Sequence, residues 1–491
     1  MPTGQPTNTQ GEHTPLGEML RIAAPVAATM ASYTVAQFVD RLMVSRLENG
    51  DAAVAAQGNG SILSFVPISL LMGMMTVVNT FVAQNVGAKR PERAAAYPWA
   101  GLWICLFGWA LLLAPLGIAM CLMEPGLTAL LPGEASPDVV RMQEEYSRIL
   151  LVGSIITLSG RTFAQFFYGI HRPRVVMSAA IIGTIVNALA NYALIYGNWG
   201  FPRLEVAGAA YATLIGQVVE LAIPMALFLS ARLDREYGTR RAWRFDPRAA
   251  KDILRIGWPA AVMFTNEMAC WAVFLPGYLG SLGVAHNSAS WIGLSYMHVS
   301  FLPAMGLSIA VTALVGKRIG AGKPDEAAAR AWLGVRVAML YMGTCALIFV
   351  LFRGPLVELF IPETLAPERA AEILDIGKRV MIAIAIFQLF DAVGITMVGA
   401  LRGAGDTTWP GIMTAVLSWS LIIGLGALLR WGFPEWGSMG PWSAAAAYII
   451  AFALTMLWRF RRGAWRSIKL VDSEHEITET PPPEPMKSVQ A

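Results

Sequence analysis

Stretches of about 20 apolar residues, each long enough to cross a lipid bilayer, follow one another through almost the whole chain. Lipid offers no water to a free N–H or C=O, so such a stretch has to close its backbone hydrogen bonds within itself, as a helix. The segments lie near 20–44, 57–84, 97–122, 146–168, 175–197, 206–230, 253–276, 288–314, 331–352, 377–400, 411–430 and 441–458. The expected fold class is an all-α polytopic membrane protein with twelve transmembrane helices. Charge usage agrees: 14% of the 491 residues are charged, against about 25% in soluble domains. Residues 1–17 are polar, and the first apolar segment is long and lacks a small-residue cleavage site, so no removable leader is expected.

The chain also repeats itself. Leu20-Arg21-Ile22-Ala23-Ala24-Pro25-Val26-Ala27 returns as Leu254-Arg255-Ile256-Gly257-Trp258-Pro259-Ala260-Ala261, an offset of 234 residues. Val86-Gly87-Ala88 returns as Ile319-Gly320-Ala321 and Gly73 as Gly306, both at 233, and Gly200-Phe201-Pro202 returns as Gly432-Phe433-Pro434 at 232. Near-constant spacing implies two pseudo-symmetric six-helix halves. An even number of spans leaves them parallel, related by an axis along the membrane normal. The expected organisation is an N-terminal segment (1–17), a first half (18–230), a basic linker (231–252), a second half (253–460) and a disordered polar tail (461–491).

Basic loops set the orientation. Lys89, Arg90, Arg93, Arg172, Arg174, Lys317, Arg318, Lys323, Arg330 and the linker share one side. Glu124, Glu134, Asp138, Glu144 and Glu145, and later Glu358, Glu363, Glu368 and Glu372, occupy the other. The basic side, with both termini, is expected to be cytoplasmic.

An ionisable group within a span costs about 3 kcal/mol on insertion scales, so its first reading is functional. Asp40, Glu267 and Asp391 stand well inside apolar segments, with Glu220 a weaker fourth. Glu267 and Asp391 each lie roughly 21 Å along their helices, near the middle of the bilayer. The repeat maps Glu267 onto Tyr33, and Asp40 lies two turns further out on the same face. Polar companions keep helical spacing: Tyr33 and Gln37 with Asp40, Gln388 before Asp391, Asn187 with Asn191, and Thr213 and Gln217 with Glu220. Each such stripe also suits interhelical hydrogen bonding. No mid-span Lys or Arg is read as neutralising Glu267 or Asp391, whereas Arg41 is a surface candidate beside Asp40.

Desolvation disfavours the charged form of an unpaired carboxylate. Such acids can carry protons, hold a hard cation such as Na⁺ or attract an organic cation, and the residues alone leave these open. Pro25 and Pro259 each delete a backbone hydrogen bond and kink their spans, as hinges or as passive bends. No GxxxxGK[ST] loop is present, which sets ATP aside as energy source. The five histidines lack metal-ligand spacing, the four cysteines read as buried small hydrophobes, and the basic linker has no aromatic surface for nucleic acid. No cofactor is expected beyond a coupling ion.

Taken in order, these residues resemble the multidrug and toxic compound extrusion (MATE) transporters, in particular their bacterial NorM-type branch. The likeness covers roughly residues 17–460. It rests on Pro25 with Gln37-Phe38-Val39-Asp40, Gln84-Asn85-Val86-Gly87-Ala88, Asn187 and Asn191 before Ile195-Tyr196-Gly197, and Val206-Ala207-Gly208-Ala209-Ala210-Tyr211-Ala212-Thr213. Further on come Gly257-x-Pro259 with Glu267, Phe387-Gln388-x-x-Asp391, and Leu401-Arg402-Gly403-Ala404-Gly405-Asp406-Thr407. The resemblance implies export of amphipathic, often cationic drugs or toxic metabolites across the bacterial cytoplasmic membrane, in exchange for Na⁺ or H⁺, by a monomer that is not an enzyme. It also implies cation coupling and drug binding at Asp40, Glu267 and Asp391, with Asn187, Asn191 and Thr213 alongside. Arg41, where a small polar residue is commoner, and Pro441-Trp442 depart from the pattern.

A lipid-linked sugar flippase of the same wider superfamily would need a cavity rich in Arg or Lys for an anionic pyrophosphate, and the spans carry carboxylates instead. A membrane-embedded enzyme would need clustered catalytic groups, and a scaffold gives no reason for unpaired acids within the membrane.

Overall fold

The computed structural model describes residues 14–122, 137–361 and 365–471. The first half contains α1 (Pro15–Val44), α2 (Ala52–Gly87), α3 (Pro91–Met120), α4 (Pro137–Gly169), α5 (Pro173–Tyr196) and α6 (Glu205–Phe228). The second contains α7 (Pro247–Val273), α8 (Ala285–Gly320), α9 (Pro324–Leu351), α10 (Pro367–Ala404), α11 (Thr408–Gly432) and α12 (Met439–Arg461). Among the described residues eleven helices are long and apolar enough to cross a membrane, α7 being the exception. The polar groups interrupting its apolar run, Arg255, Thr265, Asn266 and Glu267, include a proposed site acid.

Local chemistry starts these helices. Proline opens α5, α9 and α10, where its missing N–H costs nothing. Ahead of α7, whose first residue is also proline, Asp246 accepts from the N–H of Arg248 (2.8 Å) and Ala249 (3.4 Å), satisfying donors the helix leaves free. A seven-residue helix, Ala231–Tyr237, lies within the linker. Residues 461–471, assigned to the tail by sequence, pack on the bundle: Trp465 is buried and donates to the carbonyl of Phe460 at 2.8 Å. The remaining tail, residues 1–13, and Glu124, Glu134 and Glu363 lie outside the described residues.

The halves exchange their leading turns. Met19, Ile22 and Ala23 of α1 join the second half's core beside Leu307, Val311 and Val335. Ala249, Ile253 and Ile256 of α7 join the first half's core beside Met75, Val78 and Phe81. Pro25 and Pro259, both inside their helices, fall just after these borrowed turns. The repeated glycines lie where the halves touch. A Cβ on Gly87 would stand 2.0 Å from the carbonyl oxygen of Lys317, and one on Gly320 1.9 Å from that of Gln84. The other repeated pair does the same one step deeper, Gly73 against Ala261 and Gly306 against Ala27. Small residues let membrane helices approach this closely.

Polar bonds reinforce the seam. Thr80 and Gln84 donate to the carbonyls of Arg402 and Gly403, both at 2.9 Å. Glu18 of α1 reaches Arg330 at 2.9 Å and Arg318 at 3.5 Å. These contacts gather at the basic-loop ends of the helices. There the α10–α11 turn is closed by Gly405 at φ 92°, with Asp406 paired to Arg459 at 2.7 Å.

Candidate functional site

In the first half, Asp40 is 8% exposed on α1 and accepts a hydrogen bond from Asn191 Nδ2 of α5. Asn191 is one turn from Asn187, whose Oδ1 is 3.5 Å from the same nitrogen. Asn187 and Thr213 also face the Asp40 carboxylate. Thr213 is held on α6 by donating to the carbonyl of Ala209 at 2.9 Å. Four sequence-singled residues thus converge from α1, α5 and α6. Tyr146 of α4, buried and close enough to Asp40 to interact electrostatically, completes the group and carried no sequence signal. Arg41 is exposed and forms no ion pair with Asp40. Gln37 is likewise exposed and is not hydrogen-bonded to Asp40 or Tyr33.

In the second half, Asp391 of α10 is 9% exposed and close enough to Glu267 of α7 for the two charges to interact. Neither carboxylate has a hydrogen bond or ion pair among the described residues. Tyr448 of α12, which sequence reasoning missed, lies within electrostatic range of both. Beside Glu267, Asn266 is clamped: its amide donates to Ser418 at 2.8 Å, and Trp419 donates to its carbonyl at 2.7 Å. Ser418 and Trp419 open a π-helical stretch of α11, Ser418–Leu425, a local distortion often found at functional positions. Gln388 is fully buried and donates to Ser300 of α8 at 2.5 Å, while its Oε1 has no partner among the described residues. Its amide therefore serves the α8–α10 seam.

Tyr33, seven residues before Asp40, donates to Glu220 at 3.2 Å. The guanidinium of Arg161, on α4, lies 4.3 Å from the centre of the Tyr33 ring. Arg161 was overlooked in the sequence, although an arginine inside the apolar segment 146–168 is the same kind of signal as a carboxylate. Among the described residues no such cation lies beside Glu267 or Asp391.

Near the helix-interior prolines, Thr29 donates to the carbonyl of Pro25 at 2.9 Å, and Thr407 to that of Ile256 at 2.6 Å. Among the described residues no group of three or more His, Cys, Asp or Glu is arranged to hold a metal ion.

Two repeated six-helix halves that enclose buried acids, with no nucleotide-binding loop, define a class: a polytopic membrane transporter. Its family follows from direct comparison. The MatE family model matches residues 25–193 and again 259–428, so the chain belongs to the MatE family. The two matches open on Pro25 and Pro259, the offset read from the repeat.

The chain is 29% identical over 443 residues to the multidrug resistance protein NorM of Burkholderia vietnamiensis, covering 90% of this chain and 92% of that one. It is 28% identical over 465 residues to the multidrug resistance protein PmpM of Pseudomonas aeruginosa, covering 92% and 93%. A solved outward-facing conformation of a multidrug resistance MATE family transporter superposes with a TM-score of 0.80 at 21% identity, over 92% of this chain and 97% of that one. At that identity the superposition speaks for the fold alone.

Proposed function

We propose that the chain is a secondary active exporter of amphipathic, mainly cationic compounds, driven by entry of Na⁺ or H⁺ through the bacterial cytoplasmic membrane, with both termini cytoplasmic. The observation that carries this reading is the Glu267–Asp391 pair, two mutually interacting carboxylates within the spans with no neutralising cation among the described residues. Two adjacent negative charges in a low-dielectric cavity repel strongly. A proton, a Na⁺ ion or an organic cation relieves that repulsion, and each displaces the others, which is the basis of exchange. Asp40, with Asn187, Asn191 and Thr213, forms an outer station in the other half. Tyr33, Gln37 and Gln388 line or support the path between them. The names of the NorM and PmpM relatives support a drug as cargo.

The halves rock about the basic-end seam, with Pro25 and Pro259 as hinges beside the exchanged turns. Coupling-ion entry favours the drug-releasing state, because a ligand shifts a two-state equilibrium only by its differential affinity. A monomer suffices for this cycle. The test is dye efflux from proteoliposomes with Na⁺ and pH gradients imposed separately. Wild type should respond to at least one gradient, and Glu267→Gln combined with Asp391→Asn should abolish the response. Gradient-driven efflux that survived the double substitution would sink the assignment.

A further inference from the structure

The linker between the halves, residues 231–252, carries seven Lys or Arg against four acids, and each acid is engaged. Glu236 pairs with Arg172 at 2.8 Å. Asp234 accepts from the backbone N–H of Arg240 at 2.9 Å, and Asp252 accepts from Tyr97 at 3.2 Å. Asp246 accepts from the first N–H groups of α7, where the helix dipole offsets part of its charge. Arg241, Arg244 and Arg248 are exposed, and their guanidinium groups have no hydrogen bond or ion pair among the described residues. The same stretch is laid along α3. Trp99 donates to the carbonyl of Thr239 at 2.8 Å and Trp103 to that of Trp243 at 3.1 Å, and Phe107 meets Phe245 edge-on with ring centres 6.4 Å apart. Four-residue steps put Trp99, Trp103 and Phe107 on one face of α3, about 6 Å apart along its axis. Phe107, Trp243 and Phe245 are exposed. Half of this aromatic surface comes from α3, which is why the linker's sequence alone does not display it.

We propose that this part of the linker, seated against α3, docks an anionic phospholipid of the adjoining leaflet. Arg241, Arg244 and Arg248 take the headgroup phosphate, and Trp243, Phe245 and Phe107 take the glycerol and the upper acyl chain. Tryptophan on a span marks the boundary between headgroups and hydrocarbon. Trp103 therefore sets the linker at headgroup level, and Phe107, one turn further from the basic end, enters the hydrocarbon. Each arginine lies one to three residues from Trp243 or Phe245, at most about 10 Å of chain, so the three charges share that level. Basic residues beside a span attract anionic lipid in this way. A nucleic acid would use the arginines but gain nothing from rings that face acyl chains. A lipid without net charge gains only the rings, and an anionic lipid satisfies both. The docking needs no cargo and no ion gradient, so it stands apart from the export reading.

The probes are phosphatidylglycerol and phosphatidylcholine with brominated acyl chains, presented to the full-length protein in nanodiscs, with tryptophan quenching as the readout. Each protein is measured with and without Trp243→Phe, and the difference isolates quenching at this patch. Wild type should prefer phosphatidylglycerol there, and the preference should weaken as salt is raised, because exposed charges are screened. Arg241→Gln, Arg244→Gln and Arg248→Gln combined should cut the preference about fivefold or more, fivefold being the worth of one basic residue at an anionic surface. Lysine at the same three positions keeps the charge and should retain most of it. Equal quenching by the two lipids in wild type would overturn the proposal, as would a preference unchanged by the glutamines. An equal loss with lysine would mark a structural role for the arginines and overturn it too. Should the triple variant fold poorly, Arg244→Gln alone, between the two rings, carries the same test. A fluorescent oligonucleotide that binds through these arginines in neutral bilayers, with no lipid preference at Trp243, would assign the patch to nucleic acid instead.

Discussion

Gly320→Ala tests whether the repeated glycines hold the basic-loop end closed. The added methyl would lie 1.9 Å from the carbonyl oxygen of Gln84 and 2.6 Å from its carbonyl carbon. An ordinary Cβ stays beyond 3.0 Å of such atoms, so α8 and α2 must part by more than 1 Å. No flexible side chain can yield, because the obstacle is backbone. Overpacking of this kind costs about 2 kcal/mol, a roughly 30-fold shift away from the closed seam. Alanine is the better helix former by about 1 kcal/mol, so the helix itself should not weaken. The assay is double electron–electron resonance between spin labels at positions 174 and 329, exposed sites on opposite halves at this end. A longer-distance population should appear in Gly320→Ala but not in Gly58→Ala, whose Cβ meets nothing within 4 Å. An unchanged distance distribution in Gly320→Ala would refute the reasoning, as would an equal change in the control.

Other predictions concern neighbouring parts of the same machinery. Glu18→Gln removes the carboxylate that joins α1 to Arg330 and Arg318, and the same labels should register an open population about tenfold larger, from a loss of about 1.4 kcal/mol for a partly buried charged contact. Asn191→Leu deprives buried Asp40 of its donor; the folded protein should melt lower, and Asn191→Asp should not restore it, because a second carboxylate repels the first. His171, in the α4–α5 turn, has its pKa lowered to about 4, first by burial and then by the charge of Lys317, against the favourable contact of its Nε2 with the carbonyl of Ala313 at 3.3 Å. Glu18 raises it and Arg318 lowers it further. A depressed pKa means that the neutral ring's contribution is complete above the solvated value of about 6.5 and is lost as pH falls toward 4. Acidification from pH 7 to 5 should therefore open the basic end, and His171→Gln, which keeps a donor but does not titrate, should flatten that dependence.

Much of the architecture is legible because lipid restricts the options. Apolar runs specify helices, and repeated prolines and glycines specify the duplication. Helix ends are less legible: α4 begins at Pro137 and α10 at Pro367, about ten residues before their apolar runs. Those turns are polar and extend beyond the hydrocarbon, where hydropathy is silent. The acids were readable because charge is rare in spans, and the same reasoning applied to cations would have found Arg161. Tyr146 and Tyr448 were not readable, since a tyrosine in a span is ordinary filler until folding places it beside an acid. Gln388 shows the limit of spacing arguments. Its stripe with Asp391 suits a site or an interhelical bond alike, its amide donates to Ser300, and only tertiary packing shows that contact.

The repeat gives the site one further meaning. Position 267 in the second half corresponds to position 33 in the first, and the leading turns of α7 and α1 cross into opposite cores. Equivalent positions of the repeat therefore carry different chemistry in the two halves. One presents Glu267, interacting with Asp391 and without a cation. The other presents Tyr33, with an arginine over its ring. Duplication alone would have made the two halves electrically alike. Divergence at this one register instead left an acid pair in the second half and a mixed Arg161–Glu220 cluster in the first, with Asp40 two turns further out. Arg161 does not neutralise the acid pair: its guanidinium lies over the Tyr33 ring, within electrostatic range of Glu220 in its own half. Under the proposed export mechanism, that separation is what leaves Glu267 and Asp391 free to exchange one cation for another.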